Sequence, residues 1–241
     1  MEENRKILSI IPARAGSKGL PGKNVKLLHG KPLISWTTEE AKKSKYLKKI
    51  ILSTDDEEIV RVCKDHRVEV PFLRPKELAR DDTPIIDVIL HLLDHLRNTE
   101  DYLPDFVLLL QPTSPLRTCE DIDNVCDMLA TNKEANAVIS ITAVSQIPYS
   151  MRVLNAKNGY IESFITHNYE NPRRQDLPVV YIINGALYMC KTEVLLKSQT
   201  FTPERTLGYK MPKERSVDID DIVDFKLAET ILSEKNILSK I

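Results

Sequence analysis

Apolar positions along this 241-residue chain fall into two periods. Residues 6–11, 48–53, 106–110 and 137–142 form short, nearly continuous apolar runs that read as strands buried on both faces. Between them, apolar residues recur every three or four positions, the spacing of one helix face. That spacing predicts a helix opened by Pro32 and running through Leu33, Ile34, Trp36, Thr37 and Ala41, and another from Glu57 to about Arg67. It predicts three more: one opened by Thr83 and Pro84 and running through Ile86, Ile89, Leu90 and Leu93, one from Cys119 or Glu120 to Leu129, and a last one from about Ile222 to Leu232. Residues 68–72 read as a further short strand, and residues 179–189 as a return to the sheet through Asn184-Gly185-Ala186. Strand and helix alternate, so the expectation is an α/β fold of three layers, a mostly parallel sheet with helices on both faces. The rhythm breaks between about 144 and 178, where residues 151–154 and 160–164 flank Asn158-Gly159, a hairpin signal. Such an arm reads as an oligomerisation or lid element, or as an ordinary surface excursion.

Directly after the first strand comes Ala13-Arg14-Ala15-Gly16-Ser17-Lys18-Gly19-Leu20-Pro21-Gly22-Lys23-Asn24. Three glycines let the backbone approach a ligand closely. Successive N–H groups in such a loop form a concave anion site. Arg14, Lys18 and Lys23 add the positive charge that a triphosphate needs before a nucleophile can approach it. The spacing excludes a Walker A loop: five residues separate Gly16 from Gly22-Lys23, and Asn24 stands where a magnesium-binding hydroxyl would be. The dinucleotide fingerprint G-x-G-x-x-G is absent as well. Ser53-Thr54-Asp55 and residues 111–117 follow other strands, so all three loops are expected at the carboxyl ends of the sheet, where ligands bind in such folds.

Composition narrows the partners. The formal net charge of −1 gives no basis for a nucleic-acid or membrane partner, and the cations cluster locally as for a small anionic ligand. The four cysteines, at 63, 119, 126 and 190, show no C-x-x-C and no zinc spacing, which reads as free thiols in a reducing compartment. No stretch reaches membrane-span length, and the first residues lack the apolar run of a signal sequence, so a soluble, cytoplasmic protein is expected. His91 and His95 lie four apart on a helix, but Leu92 stands where the zinc-protease motif needs glutamate.

Asp218 and Asp220 alternate with Val217 and Ile219, which on an extended segment puts both carboxylates on one face. Two readings compete. The pair could hold Mg²⁺, which takes oxygen ligands together with phosphates. Alternatively, Asp220 could cap the final helix. Asp55 and Asp56 are open in the same way, between positioning a ligand and capping a helix.

The phosphate loop, together with Leu52-Ser53-Thr54-Asp55, Arg74-Pro75-Lys76-Glu77-Leu78-Ala79, Gln111-Pro112-Thr113-Ser114-Pro115-Leu116-Arg117, Arg174-Gln175-Asp176-Leu177-Pro178, Asn184-Gly185-Ala186-Leu187-Tyr188 and Ser216-Val217-Asp218-Ile219-Asp220, closely resembles the acylneuraminate cytidylyltransferases. These include the CMP-sialic acid synthetases and their relatives for legionaminic and pseudaminic acids. The match runs in order over nearly the whole chain. It implies a single cytidylyltransferase domain over 1–241 with an arm insertion at about 144–178. It also implies a glycosyltransferase-A-like nucleotide-diphospho-sugar transferase fold with a hairpin dimerisation arm. The implied reaction joins CTP to an acidic nine-carbon 2-keto sugar and releases pyrophosphate, with Mg²⁺, in a homodimer.

On the matching positions, Arg14, Ser17 and Lys23 would hold the triphosphate, and Lys23 would also offset the charge that develops on the α-phosphate and the leaving pyrophosphate. Asn24 and Arg74 would bind cytidine. Gln111 would meet the sugar, with Tyr188 nearby; Arg174 would approach the sugar carboxylate or the phosphates of the neighbouring subunit; and Asp218 and Asp220 would hold the metal. Two positions depart from the family pattern where the sugar is expected. Ile182 stands where many relatives carry arginine, and Ser150 where some carry lysine, with Arg152 close by. The alternatives are activation of another acid sugar such as Kdo, and a catalytically silent binder of the same fold.

Overall fold

The computed structural model describes residues 5–16, 19–66, 68–144, 146, 148–165 and 177–238. Six strands form the central sheet: β1 (Ile7–Pro12), β4 (Lys49–Ser53), β5 (Phe106–Leu109), β6 (Ala137–Ala143), β9 (Tyr181–Lys191) and β10 (Thr206–Lys210). Their order is β10-β6-β9-β5-β1-β4. β4, β1 and β5 pair in parallel, as do β10 and β6, while β9 runs antiparallel to both β5 and β6. The sheet is therefore mixed but mostly parallel, as the strand-helix alternation led one to expect.

Alternation along each strand feeds two cores. Ile7 and Ile11 of β1, Ile50 and Leu52 of β4, and Phe106 and Leu108 of β5 point to one face. There they meet α1 (Leu33–Lys43), α2 (Glu57–Cys63) and α4 (Cys119–Thr131) through residues such as Ile34, Ile59 and Val125. Leu8, Ile10, Ile51, Val107 and Leu109 point the other way, against Ile89, Leu92 and Leu96 of α3 (Ile85–Glu100) and Leu195 of α5 (Thr192–Ser198). A third cluster ties Leu20 of the phosphate loop and Val217 and Ile219 to Phe225, Ala228 and Leu232 of α6 (Ile222–Leu238).

The differences from expectation are local. Pro32 does not begin a helix but ends β3 (Lys31–Pro32), which pairs with β2 (Leu27–Leu28), and α1 starts one residue later. Residues 68–72 contribute only a bridge between Glu69 and Ile51, and Pro71, which has no N–H, cannot continue the ladder. α5 and β10 have no counterpart among the expected elements. The arm is a separate hairpin of β7 (Arg152–Leu154) and β8 (Ile161–Ser163). Its loop is wider than an Asn-Gly turn: Asn155 and Tyr160 close it, with Gly159 at φ 75°.

Candidate active site

The phosphate loop is anchored from both sides. The Asp55 carboxylate accepts from the Ala15 N–H at 2.9 Å, and the Asn24 amide donates to the Arg14 carbonyl at 3.1 Å. Asp56, not Asp55, caps α2, accepting from Glu58 N–H at 2.7 Å. Gly22 takes the left-handed conformation at φ 65°, opening the single turn Lys23–Val25 that aims Lys23 back across the loop. The Lys23 ammonium donates to the Ile219 carbonyl at 2.6 Å and lies 3.5 Å from Asp220 Oδ1, with only 11% of its side chain exposed. The loop also touches the acidic segment at Gly19, where an added Cβ would lie 2.3 Å from the Asp220 carbonyl oxygen. Phosphate loop and acidic segment are thus one construction, although 197 residues separate Lys23 from Asp220.

A cleft of about 240 Å³ opens beside this construction, lined by Arg14, Lys23, Asn24, Arg74 and Gln111 among others. Arg74 is buried, and its Nε and Nη2 donate to Ser53 Oγ at 3.1 Å and to the Ser53 carbonyl at 2.5 Å. Burial pushes its guanidinium below the ordinary arginine value, with Asp55 opposing and Arg14 adding to the shift. Arg14 pairs with Asp81, on the loop before α3.

The floor of the site is a bulge. Between the paired positions Ile139–Tyr188 and Ile141–Ile183, β9 carries residues 184–187 where β6 carries Ser140 alone. Ser140 Oγ bridges the gap, donating to Asn184 Oδ1 at 2.6 Å and accepting from Leu187 N–H at 2.8 Å. Gly185 stands at φ 77° at the apex. A Cβ there would lie 2.8 Å from Asp218 Oδ2 and 3.3 Å from Gln111 Oε1, so both side chains close over the bare backbone. Gly185→Ala is expected to lower activity and stability together. The left-handed conformation costs a side-chain residue about 1–2 kcal/mol, and the Cβ would push Asp218 aside. Thermal melting and turnover of the variant check this.

Two further contacts, with no local signal in the sequence, hold that floor. Arg117 is 2% exposed and donates to the carbonyls of Gln111 and Ala186, at 3.3 and 2.6 Å, and to Thr37 Oγ1 at 2.8 Å. Burial lowers its pKa to about 10, against the pull of Asp121 and Glu40, so it remains a cation at neutral pH. Asp121 sits in the capping box of α4 and takes a two-pronged contact from Arg215, at 2.7 and 3.1 Å. That contact fixes the chain just ahead of Ser216, whose hydroxyl accepts from Asn184 at 2.9 Å.

Asp218 and Asp220 differ in setting. Burial raises the Asp218 carboxyl above its ordinary value; Thr113 and Lys23 oppose the rise and Asp220 adds to it. Its Oδ1 is buried without a hydrogen-bond partner. Asp220 is 84% exposed, and the cap of α6 falls to Asp221 instead, which accepts from Val223 and Asp224 N–H at 2.7 and 3.1 Å. Among the described residues no group of three or more His, Cys, Asp or Glu side chains gathers as a metal cluster. Two carboxylates, one with an orphaned buried oxygen, still fit an ion that takes its remaining ligands from phosphates and water.

Tyr188 is half-buried on β9 and is not among the described residues lining the cleft; its ring is 5.9 Å from that of Phe201, with its hydroxyl pKa raised by burial and then by Asp218. Ser17 and Arg174 lie outside the described residues. His91 and His95 pack against Phe72, with ring centroids 5.2 and 4.4 Å away.

A mostly parallel α/β sheet with a cationic glycine loop at the end of its first strand, joined to a pair of carboxylates, defines the class: a nucleotidyltransferase. The family described as "Cytidylyltransferase" matches residues 8–239. The chain is 36% identical over 231 residues to N-acylneuraminate cytidylyltransferase of Escherichia coli, covering 96% of this chain and 53% of that protein. It is 33% identical to CMP-N,N'-diacetyllegionaminic acid synthase of Legionella pneumophila, covering 94% of this chain and 96% of that one. The chain therefore spans about half of the first relative and nearly all of the second. The fold matches the structure of CMP:2-keto-3-deoxy-manno-octonic acid synthetase complexed with CTP, with a TM-score of 0.68 at 17% identity over 95% of this chain and 99% of that one. The protein belongs to the cytidylyltransferase family.

Proposed function

We propose that the protein transfers the cytidylyl group of CTP to a nonulosonic, sialic-acid-like 2-keto acid, giving the CMP-sugar and pyrophosphate. The observation that carries this reading is the Lys23 bridge between phosphate loop and acidic segment. It is supported by the names of the two relatives, both of which match nearly the whole of this chain. Activation of Kdo has support from the fold alone. A silent binder has no use for a transition-state cation and two metal carboxylates in one place.

In the reaction, the anomeric hydroxyl oxygen of the sugar bonds to the α-phosphorus as the bond to the β-phosphate oxygen breaks. The hydroxyl proton leaves to solvent, and pyrophosphate departs. No histidine is among the described residues lining the cleft, so positioning and charge stabilisation carry the rate. Arg14, Lys23 and Ser17 hold the phosphates, Asn24 and Arg74 orient the cytidine, and Gln111, Tyr188 and Arg174 meet the sugar. Asp218 and Asp220 would hold Mg²⁺, which when bound polarises the phosphates and offsets their charge. Calorimetry tests the nucleotide half: CTP with MgCl₂ should bind at least tenfold more tightly than ATP or UTP. Equal affinity for the three would overturn it.

The same reading makes the protein a homodimer through its arm. Met151, Val153, Leu154, Tyr160, Ile161 and Phe164 are 42–71% exposed on a two-stranded hairpin, which is marginally stable by itself in water. A second copy would cover them. Leu154→Asp with Ile161→Asp is expected to halve the mass seen by light scattering, and an unchanged mass would count against the arm. No helix among the described residues is long and apolar enough to cross a membrane, and the use of CTP puts the protein in the cytoplasm.

A further inference from the structure

Among the described residues, the cations lining the cleft are Arg14, Lys23, Arg74 and Arg80. The first three are engaged within the fold. Lys23 donates to the Ile219 carbonyl, Arg74 spends its Nε and Nη2 on Ser53, and Arg14 donates to Asp81. Arg80 differs: its side chain is exposed and makes no hydrogen bond or ion pair among the described residues. Its backbone is nevertheless held in place. The Arg74 N–H donates to the Thr54 carbonyl at 2.7 Å, and the Leu78 and Ala79 N–H groups close the single turn Lys76–Leu78. The Thr83 N–H returns to the Arg80 carbonyl at 3.4 Å, and Thr83 Oγ1 donates to the Glu77 carbonyl at 3.2 Å. The next residue, Asp81, contacts Arg14, so Arg80 stands on the side of the cleft where Arg14 and Gly16 bring in the phosphate loop.

We propose that Arg80 binds the β- and γ-phosphates of CTP, the part that leaves as pyrophosphate, and so favours a triphosphate over a monophosphate. The inference rests on the nucleotidyl-transfer reading of the site and adds a binding residue just outside the 74–79 segment that carries the family resemblance. The outer phosphates hold most of a triphosphate's charge, more than Lys23 and a shared Arg14 offset alone. An arginine fork grips two phosphate oxygens at once, and such charge-assisted contacts are stronger than neutral ones. The Arg80 guanidinium has no ion pair to break among the described residues before it does so. Its exposure suits the outer, most solvated end of the ligand.

The test is calorimetric titration of CTP, CMP and inorganic pyrophosphate, each with MgCl₂, into the wild-type protein, Arg80→Gln and Lys76→Gln. Lys76 is exposed and lies outside the cleft lining, so its variant removes the same charge from the same loop. The Arg80 side chain holds nothing among the described residues, so its loss leaves the fold intact. Arg80→Gln should bind CTP and pyrophosphate about three- to tenfold more weakly, a two-pronged phosphate contact discounted for its exposure. It should bind CMP as the wild type does, and Lys76→Gln should match the wild type with all three ligands. Unchanged affinity of Arg80→Gln for CTP or for pyrophosphate overturns the proposal. So does a loss for CMP as large as that for CTP, or the same loss in Lys76→Gln. A wild-type protein that takes up neither CTP nor pyrophosphate overturns the reading of the site, and this inference with it.

Discussion

Lys23→Ala is expected to lose most of the turnover while the protein still folds. The ammonium is held at the junction of phosphate loop and acidic segment, with its main contact a backbone carbonyl rather than a closed ion pair. A cation preorganised beside the charge that develops on the α-phosphate and leaving group acts in the transition state, and removing one such group typically costs about 10²–10³ in kcat. The folding cost is smaller, about 1 kcal/mol for one lost hydrogen bond to Ile219. Steady-state pyrophosphate release and a melting curve on the same preparation check both halves. Near-normal kcat would remove Lys23 from the mechanism, and an unfolded variant would make its role structural.

Asp218→Asn should separate function from stability in the opposite sense. The carboxylate is half-buried against Gly185, with one oxygen lacking a partner and a proton affinity raised first by burial. For a carboxyl whose folded pKa lies above its unfolded value, ionisation in the folded state costs stability. That cost begins as pH rises past the unfolded value and is complete above the folded one. The amide removes the charge, so Asp218→Asn should melt a few degrees higher than the wild type in metal-free buffer at neutral pH, on the order of 2–4 °C per kcal/mol for a chain of this size. The wild type should gain stability when MgCl₂ is added with CTP, and the variant should gain much less and turn over at least about 100-fold more slowly. A variant that melts lower and keeps its full response to MgCl₂ would contradict the metal assignment.

Strands buried on both faces were the easiest part to read from the sequence. Residues 6–11, 48–53 and 106–110 alternate between two buried faces, so continuous apolarity marks them directly. β10 was harder: it is an edge strand that carries Gly208 and partly exposed residues, so no apolar run marks it. β9 was read as a return to the sheet, but not the bulge at Asn184-Gly185 that interrupts its pairing with β6. The glycine-rich loop after β1 stood out because its residues are contiguous, and the Asp218–Asp220 pair because it follows a period of two. What could not be read is what arises only on folding. The partners Arg14–Asp81, Arg117–Thr37 and Arg215–Asp121 are 67, 80 and 94 residues apart, and nothing local joins one member to the other. The competing reading of Asp220 as a helix cap was settled the same way, by Asp221 taking that place.

The most direct test of the central claim is CTP-dependent pyrophosphate release by the wild-type protein with MgCl₂ and a panel of acids: N-acetylneuraminate, legionaminate and pseudaminate derivatives, and Kdo. Release is expected with at least one nonulosonic acid, at a kcat/KM well above that for Kdo, and none without CTP. Release with Kdo alone would move the protein to the other acid sugar, and no release with any acid would contradict the claim that it is a working cytidylyltransferase.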